Sequence, residues 1–155
     1  GLVIVNTNPL YTPREMQHQF KDSGAKAIIL LSDLLPKFNE VKEHTDIELV
    51  ITTGATDLLT GDMNAPSGCV SFNQILSDCA DAVLATRPPN CLSDNAVLQY
   101  TGGTTGVSKG ACLTHSNVMA NAEQTRLVLK EGCTEGEEIF VCPLPLYHIY
   151  AFSVN

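Results

Sequence analysis

Residues 100–111, "YTGGTTGVSKGA", crowd four glycines, four aliphatic hydroxyls and one lysine, Lys109, into a dozen positions. Glycine lets the backbone approach a ligand closely, so successive N–H groups can converge on an anion. The hydroxyls and an ammonium supply further donors. The charge pattern around the stretch agrees. From Asn95 to Ala122 there is no aspartate or glutamate, where the chain's average density would put roughly three. An acidic protein has cleared one loop for a negative ligand. A plain flexible surface loop would explain the glycines, but not the lysine, the hydroxyls and the apolar strand that precedes them.

Known phosphate loops fit incompletely. A P-loop needs glycine immediately before its lysine and serine or threonine immediately after it. Here Ser108 precedes Lys109 and Gly110 follows. The dinucleotide pattern G-x-G-x-x-G also fails, since the glycines fall at Gly102, Gly103 and Gly106. A Ser108–Lys109 hydrolytic pair is disfavoured, because adjacent residues on an extended segment point apart.

The elements that must hold this loop alternate along the chain. "LVIV" near the start reads as a short strand. Thr12-Pro13-Arg14-Glu15 supplies an N-cap, a proline at the first helical position and a capping-box glutamate, and Gly24 is placed to end that helix. "KAIILL" reads as a buried strand, followed by helical spacing at Leu34, Phe38 and Val41. "IELVIT" is a further strand, residues 53–68 are turn-rich, and Phe72, Ile75, Leu76 and Cys79 follow helical spacing. "RPPNCLSD" is a loop, "AVLQY" a strand running into the glycines, and Thr114 a cap for a helix with Val118, Ala122, Thr125 and Leu129 on one face. "EIFVC" reads as a last strand before Pro143 and Pro145. Strands separated by helices imply an α/β fold, a layered parallel-type sheet with flanking helices. The glycine loop is expected between a strand and a helix.

Composition bounds the function. The chain has 155 residues, 44% hydrophobic and 17% charged, an ordinary globular balance. A net charge of −8 disfavours nucleic acid as a partner, since such binding needs a cationic face. The six cysteines form no C-x-x-C pair and no zinc spacing, and are expected to be free structural thiols. No signal peptide and no membrane-length apolar run is visible. An apolar start at Gly1 and an apolar end, "YHIYAFSVN", read as a piece of something longer.

The stretch "TGGTTGVSKG" closely resembles the phosphate-binding signature of the adenylate-forming enzymes, the superfamily of acyl-CoA synthetases, luciferases and peptide-synthetase adenylation domains. "PLPLYHIYAF", Pro143–Phe152, resembles the family's next motif, and "VNTNPLYTPREMQHQFKDSGAKAII" is similar to the upstream segment of bacterial long-chain fatty-acid–CoA ligases. Ser108 replaces the proline commonest before the lysine across the superfamily, a departure that long-chain ligases often share. The resemblance implies that residues 1–155 are part of the large N-terminal AMP-binding domain, with the C-terminal domain absent.

It further implies a parent that activates a long-chain fatty acid with ATP and magnesium, then passes the acyl group to coenzyme A. Thr101, Gly102, Gly103, Thr104, Thr105, Gly106, Ser108 and Lys109 would hold the β- and γ-phosphates and the leaving pyrophosphate. Tyr147, His148 and Phe152 are candidate walls of the acyl site; the competing role for His148 is to cap the helix that begins there. The magnesium carboxylate, the ribose-binding aspartate and the catalytic lysine would lie beyond Asn155, so no metal ligand is assigned here and the isolated chain is expected to be inactive. Tyr100 is read either as a stack for the nucleotide or as a core residue. His18, His44 and His115 are read as surface or cap residues. A cytoplasmic location is expected, with peripheral attachment to the inner face of the membrane and a homodimer as open options for the parent. Two alternatives stand beside this reading: an adenylation domain for an aryl or amino acid, and a non-catalytic ATP-binding module.

Overall fold

The computed structural model describes residues 1–83, 86, 91–102, 107–130, 132–134, 136–139 and 141–154. The chain divides into two compact units, residues 9–86 and residues 1–8 with 87–155.

The unit formed by residues 9–86 opens with helix α1, Pro13–Ser23, set by its termini. The Thr12 hydroxyl accepts a hydrogen bond from the Glu15 N–H, and the Glu15 carboxylate accepts from the Thr12 N–H at 2.8 Å. Those hydrogen bonds to Thr12, first from its backbone and then from its hydroxyl, hold the Glu15 carboxyl below its ordinary range. Gly24, with φ of 63°, ends the helix in the left-handed conformation that glycine adopts without strain. Met16 and Phe20, one turn apart, are buried. Strand β1, Ala27–Leu31, pairs in parallel with β2, Leu49–Thr53, which pairs in parallel with β3, Val70–Ser71.

Between β1 and β2 the expected helix is broken into a 3-10 turn at Ser32–Leu34, helix α2 at Leu35–Asn39 and a second 3-10 turn at Lys42–His44. Pro36 sits in the first turn of α2, where its missing N–H costs nothing. Phe38 and Val41 still reach the core, which joins Met16, Phe20, Leu30, Phe38, Val41, Ile47 and Val50. Phe20 and Phe38 meet edge to face, with centroids 6.1 Å apart. Within the turn-rich stretch lies the four-residue helix α3, Asp57–Thr60, and helix α4, Phe72–Asp78, follows β3 directly. The Asn73 amide donates to the carbonyls of Asp57 and Asp62, which pins that stretch.

β1 departs from the fully buried strand expected of "KAIILL". Only Leu30 is buried; Ile29 is 60% exposed and Leu31 and Leu49 are also exposed. On the face of the sheet that carries Ile29, Leu31 and Leu49, those three side chains remain open, while Ile51 beside Ile29 is buried.

The second unit is built on an antiparallel pair, β4 at Asn95–Thr101 and β5 at Lys109–Thr114, followed by helix α5, His115–Leu129, and helix α6, Ile149–Val154. "LVIV" contributes only a single parallel bridge, Ile4 to Val97: the Ile4 N–H donates to Ala96 O, and the Leu98 N–H donates to Ile4 O. On α5, Val118, Thr125 and Leu129 are half-buried as the spacing predicts, whereas Ala122 is exposed. The strand expected at "EIFVC" is not formed at Glu138, Ile139, Val141 or Cys142, with Ile139 and Val141 almost fully exposed. A strand exists only against a partner, and no described strand lies alongside. Among the described residues no helix is long and apolar enough to cross a membrane.

Candidate functional site

The site grows from the β4–β5 hairpin. β4 turns Val97, Gln99 and Tyr100 into the interior and ends at exposed Thr101. β5 returns antiparallel in a register that sets Tyr100 opposite Gly110 and Thr101 opposite Lys109. Gly110 makes that register possible. A Cβ there would stand 2.9 Å from Tyr100 Cε2 and 3.0 Å from Cζ, closer than carbon atoms pack. The buried Tyr100 ring therefore occupies the space above Gly110, which assigns it to the core of this unit and fixes the strand on which Lys109 sits.

The glycine loop thus joins two antiparallel strands, which corrects the expected strand-to-helix connection. α5 begins only at His115, a full strand beyond Lys109. Its own orphan N–H groups are satisfied by a capping box: the Thr114 hydroxyl accepts from the Asn117 N–H at 3.2 Å, and Asn117 Oδ1 accepts from the Thr114 N–H at 3.0 Å. The helix N-terminus is therefore already capped and stands a full strand away from Lys109.

Thr101, Gly102, Ser108 and Lys109 are described; Gly103, Thr104, Thr105 and Gly106 lie outside the described residues. Gly102 and Lys109 are exposed and Ser108 is half-buried. Among the described residues Lys109 pairs with no carboxylate. The sequence from Asn95 to Ala122 contains no acidic residue. Among the described residues no three His, Cys, Asp or Glu side chains cluster to hold a metal ion, and the six cysteines are free.

The second candidate segment leads into α6. Tyr147 and Phe152 are half-buried and His148 is exposed. His148 closes the start of the helix: its Nδ1 accepts from the Tyr150 N–H at 3.3 Å, and its carbonyl accepts from the Phe152 N–H at 3.0 Å. The capping role weighed for His148 is thus present in its geometry. Of the remaining histidines, His44 lies in a 3-10 turn and His115 opens α5. Two residues that the motif reading passed over matter to the arrangement. Gly110 admits the Tyr100 ring, signalled only by a glycine following the lysine. Gln99 is a buried amide whose Nε2 donates to Tyr147 O at 3.3 Å, signalled by one polar residue inside an apolar strand.

The model of the AMP-binding enzyme family matches residues 1–155, the whole chain. The chain belongs to that family. A long-chain-fatty-acid–CoA ligase of Salmonella typhimurium is 39% identical across the full chain, which spans 30% of that enzyme's length. Among solved structures, a long-chain-fatty-acid–CoA ligase of Archaeoglobus fulgidus is 31% identical over 97% of the chain and 27% of its own, with a TM-score of 0.71. A red-emitting luciferase of Phrixothrix hirtus is 19% identical over 99% of the chain and 29% of its own at the same TM-score, a likeness of fold. The chain therefore spans about 30% of the length of the relatives it matches.

Proposed function

We propose that this chain is the phosphate-gripping portion of the N-terminal domain of a long-chain fatty-acid–CoA ligase, with the C-terminal domain supplied elsewhere in a longer parent. The observation that carries the reading is Lys109, exposed, without a carboxylate partner among the described residues, and held at the start of β5 in a stretch, Asn95 to Ala122, that contains no acidic residue. Support for the substrate class comes from the relatives, which are named long-chain-fatty-acid–CoA ligases.

In the parent, one fatty-acid carboxylate oxygen attacks the α-phosphorus of ATP, forming acyl-adenylate and releasing pyrophosphate. The coenzyme A thiol then attacks the acyl carbon, and AMP leaves with the former carboxylate oxygen. Such chemistry depends on positioning and charge neutralisation more than on a protein nucleophile. Thr101, Gly102, Ser108 and Lys109, with residues 103–106 between them, bind the β- and γ-phosphates and stabilise the charge that builds on pyrophosphate as it leaves. Tyr147, His148 and Phe152 line the carboxylate end of the acyl site. Magnesium would accompany ATP and neutralise phosphate charge; residues 95–122 could offer it hydroxyl and carbonyl oxygens but contain no carboxylate. The same reading extends to peripheral attachment of the parent to the inner face of the cell membrane, which co-flotation with vesicles tests.

The test is carboxylate-dependent exchange of labelled pyrophosphate into ATP by the parent, across long-chain fatty, aryl and amino acids. Long-chain acids drive exchange if the reading holds. Exchange driven only by aryl or amino acids moves the chain to another branch of the family. ATP binding with no acid-dependent exchange makes it a binding module.

A further inference from the structure

β4 spends one of its interior positions on an amide. Gln99 is only 6% exposed; its Nε2 donates to Tyr147 O at 3.3 Å and to Tyr100 O at 3.4 Å, while Oε1 is buried with no partner among the described residues. A half-satisfied buried amide is costly, and a methionine or leucine of similar size would fill the position without an orphan oxygen. The side chain is therefore poorly explained as packing. Its two acceptors lie at the two segments assigned to substrate. Tyr100 directly precedes Thr101, the residue that faces Lys109 across the hairpin, and Tyr147 directly precedes His148. Forty-eight residues separate Gln99 from Tyr147, and their bond ties the end of the phosphate strand to the backbone of the aromatic segment.

We propose that Gln99 is a positioning residue that holds the Tyr147–Phe152 segment in register with the phosphate hairpin, so that the acid's carboxylate is presented to the α-phosphorus. The proposal rests on the fatty-acid ligase reading. Gln99 touches no reacting atom; it acts through Tyr147 and so favours the acid over the nucleotide.

The test uses the full-length parent and two variants, Gln99→Met, which keeps the bulk and removes the donor, and Gln99→Asn, which keeps the amide one methylene short. Pyrophosphate exchange gives KM for a long-chain acid and for ATP, and thermal unfolding is followed on the same preparations. Loss of one neutral hydrogen bond corresponds to about a three- to tenfold rise in KM for the acid, with KM for ATP moving less than about twofold. Gln99→Asn shows the same selective shift and carries the test alone if Gln99→Met does not fold. Equal shifts in both KM values, the mark of general loosening, overturn the proposal, and so do unchanged kinetics. A wild-type parent with no fatty-acid-dependent exchange fails the ligase reading itself, whereas an active wild type with unaffected variants fails only the role of Gln99.

Discussion

Lys109→Ala removes the one cation in the β4–β5 sequence, residues 95–114, and little else. Lys109 is exposed and pairs with no carboxylate among the described residues, so the substitution leaves no buried charge behind. Its backbone keeps the pairing with Thr101, because alanine has the same N–H and carbonyl. Stability should change by no more than about 0.5 kcal/mol, the range of surface substitutions away from special features. Function should change much more. A hydrogen bond from an ammonium to phosphate is worth about 1.5–3 kcal/mol. At about 1.4 kcal/mol per tenfold, that loss slows pyrophosphate exchange by roughly ten- to a hundredfold or somewhat more. The assay is fatty-acid-dependent exchange by the parent, with thermal unfolding on the same sample. An unchanged exchange rate refutes the claim that this lysine grips phosphate. A large fall in melting temperature would instead make Lys109 a structural residue.

Gly110→Ala places a methyl 2.9 Å from the Tyr100 ring and is expected to destabilise by about 1–3 kcal/mol, read by denaturant unfolding; Gly102→Ala, whose Cβ meets nothing within 4 Å among the described residues, is the control expected to leave stability closer to wild type. His148→Ala removes a helix cap, which predicts a loss of about 0.5–2 kcal/mol in stability, and a rise in KM for the acid with KM for ATP little changed. A lowered melting point with untouched fatty-acid kinetics would confine His148 to capping. Because folding lowers the Glu15 pKa, its cap contribution is complete above the unfolded glutamate value and is lost as pH falls through the lower folded one. Glu15→Gln should therefore flatten the acid limb of the stability–pH profile, and an unaltered limb would count against the capping box as its source.

What the sequence made legible was chemistry confined to a few neighbouring residues. The α1 capping box needs only Thr12 and Glu15 in their local frame, and Gly24 needs only its own backbone, so both stand where they were expected. Phe38 and Val41 reached the core even though two 3-10 turns interrupt the helix, because burial tolerates a broken axis better than boundaries do. What stayed hidden depended on partners distant in sequence. "KGACLT" has weak strand propensity and becomes β5 only because β4 offers its edge. "EIFVC" has strong propensity and no described strand beside it. The outward residues of β1 look like core by composition, yet Ile29 is 60% exposed. For the site, residue types and order placed Lys109 and the glycines in one loop. They gave no sign that this loop is a hairpin, nor that Gln99 links it to Tyr147.

If this chain serves an AMP-forming activation of a fatty acid, an oxygen of the acid must end on AMP, and isotope tracing follows it. The parent is given a long-chain acid labelled with ¹⁸O in its carboxylate, together with ATP and coenzyme A, and the products are weighed by mass spectrometry. The expected products are acyl-CoA, pyrophosphate and AMP carrying one ¹⁸O from the acid. Label recovered in inorganic phosphate beside ADP, or unlabelled AMP beside acyl-CoA, would contradict that activation.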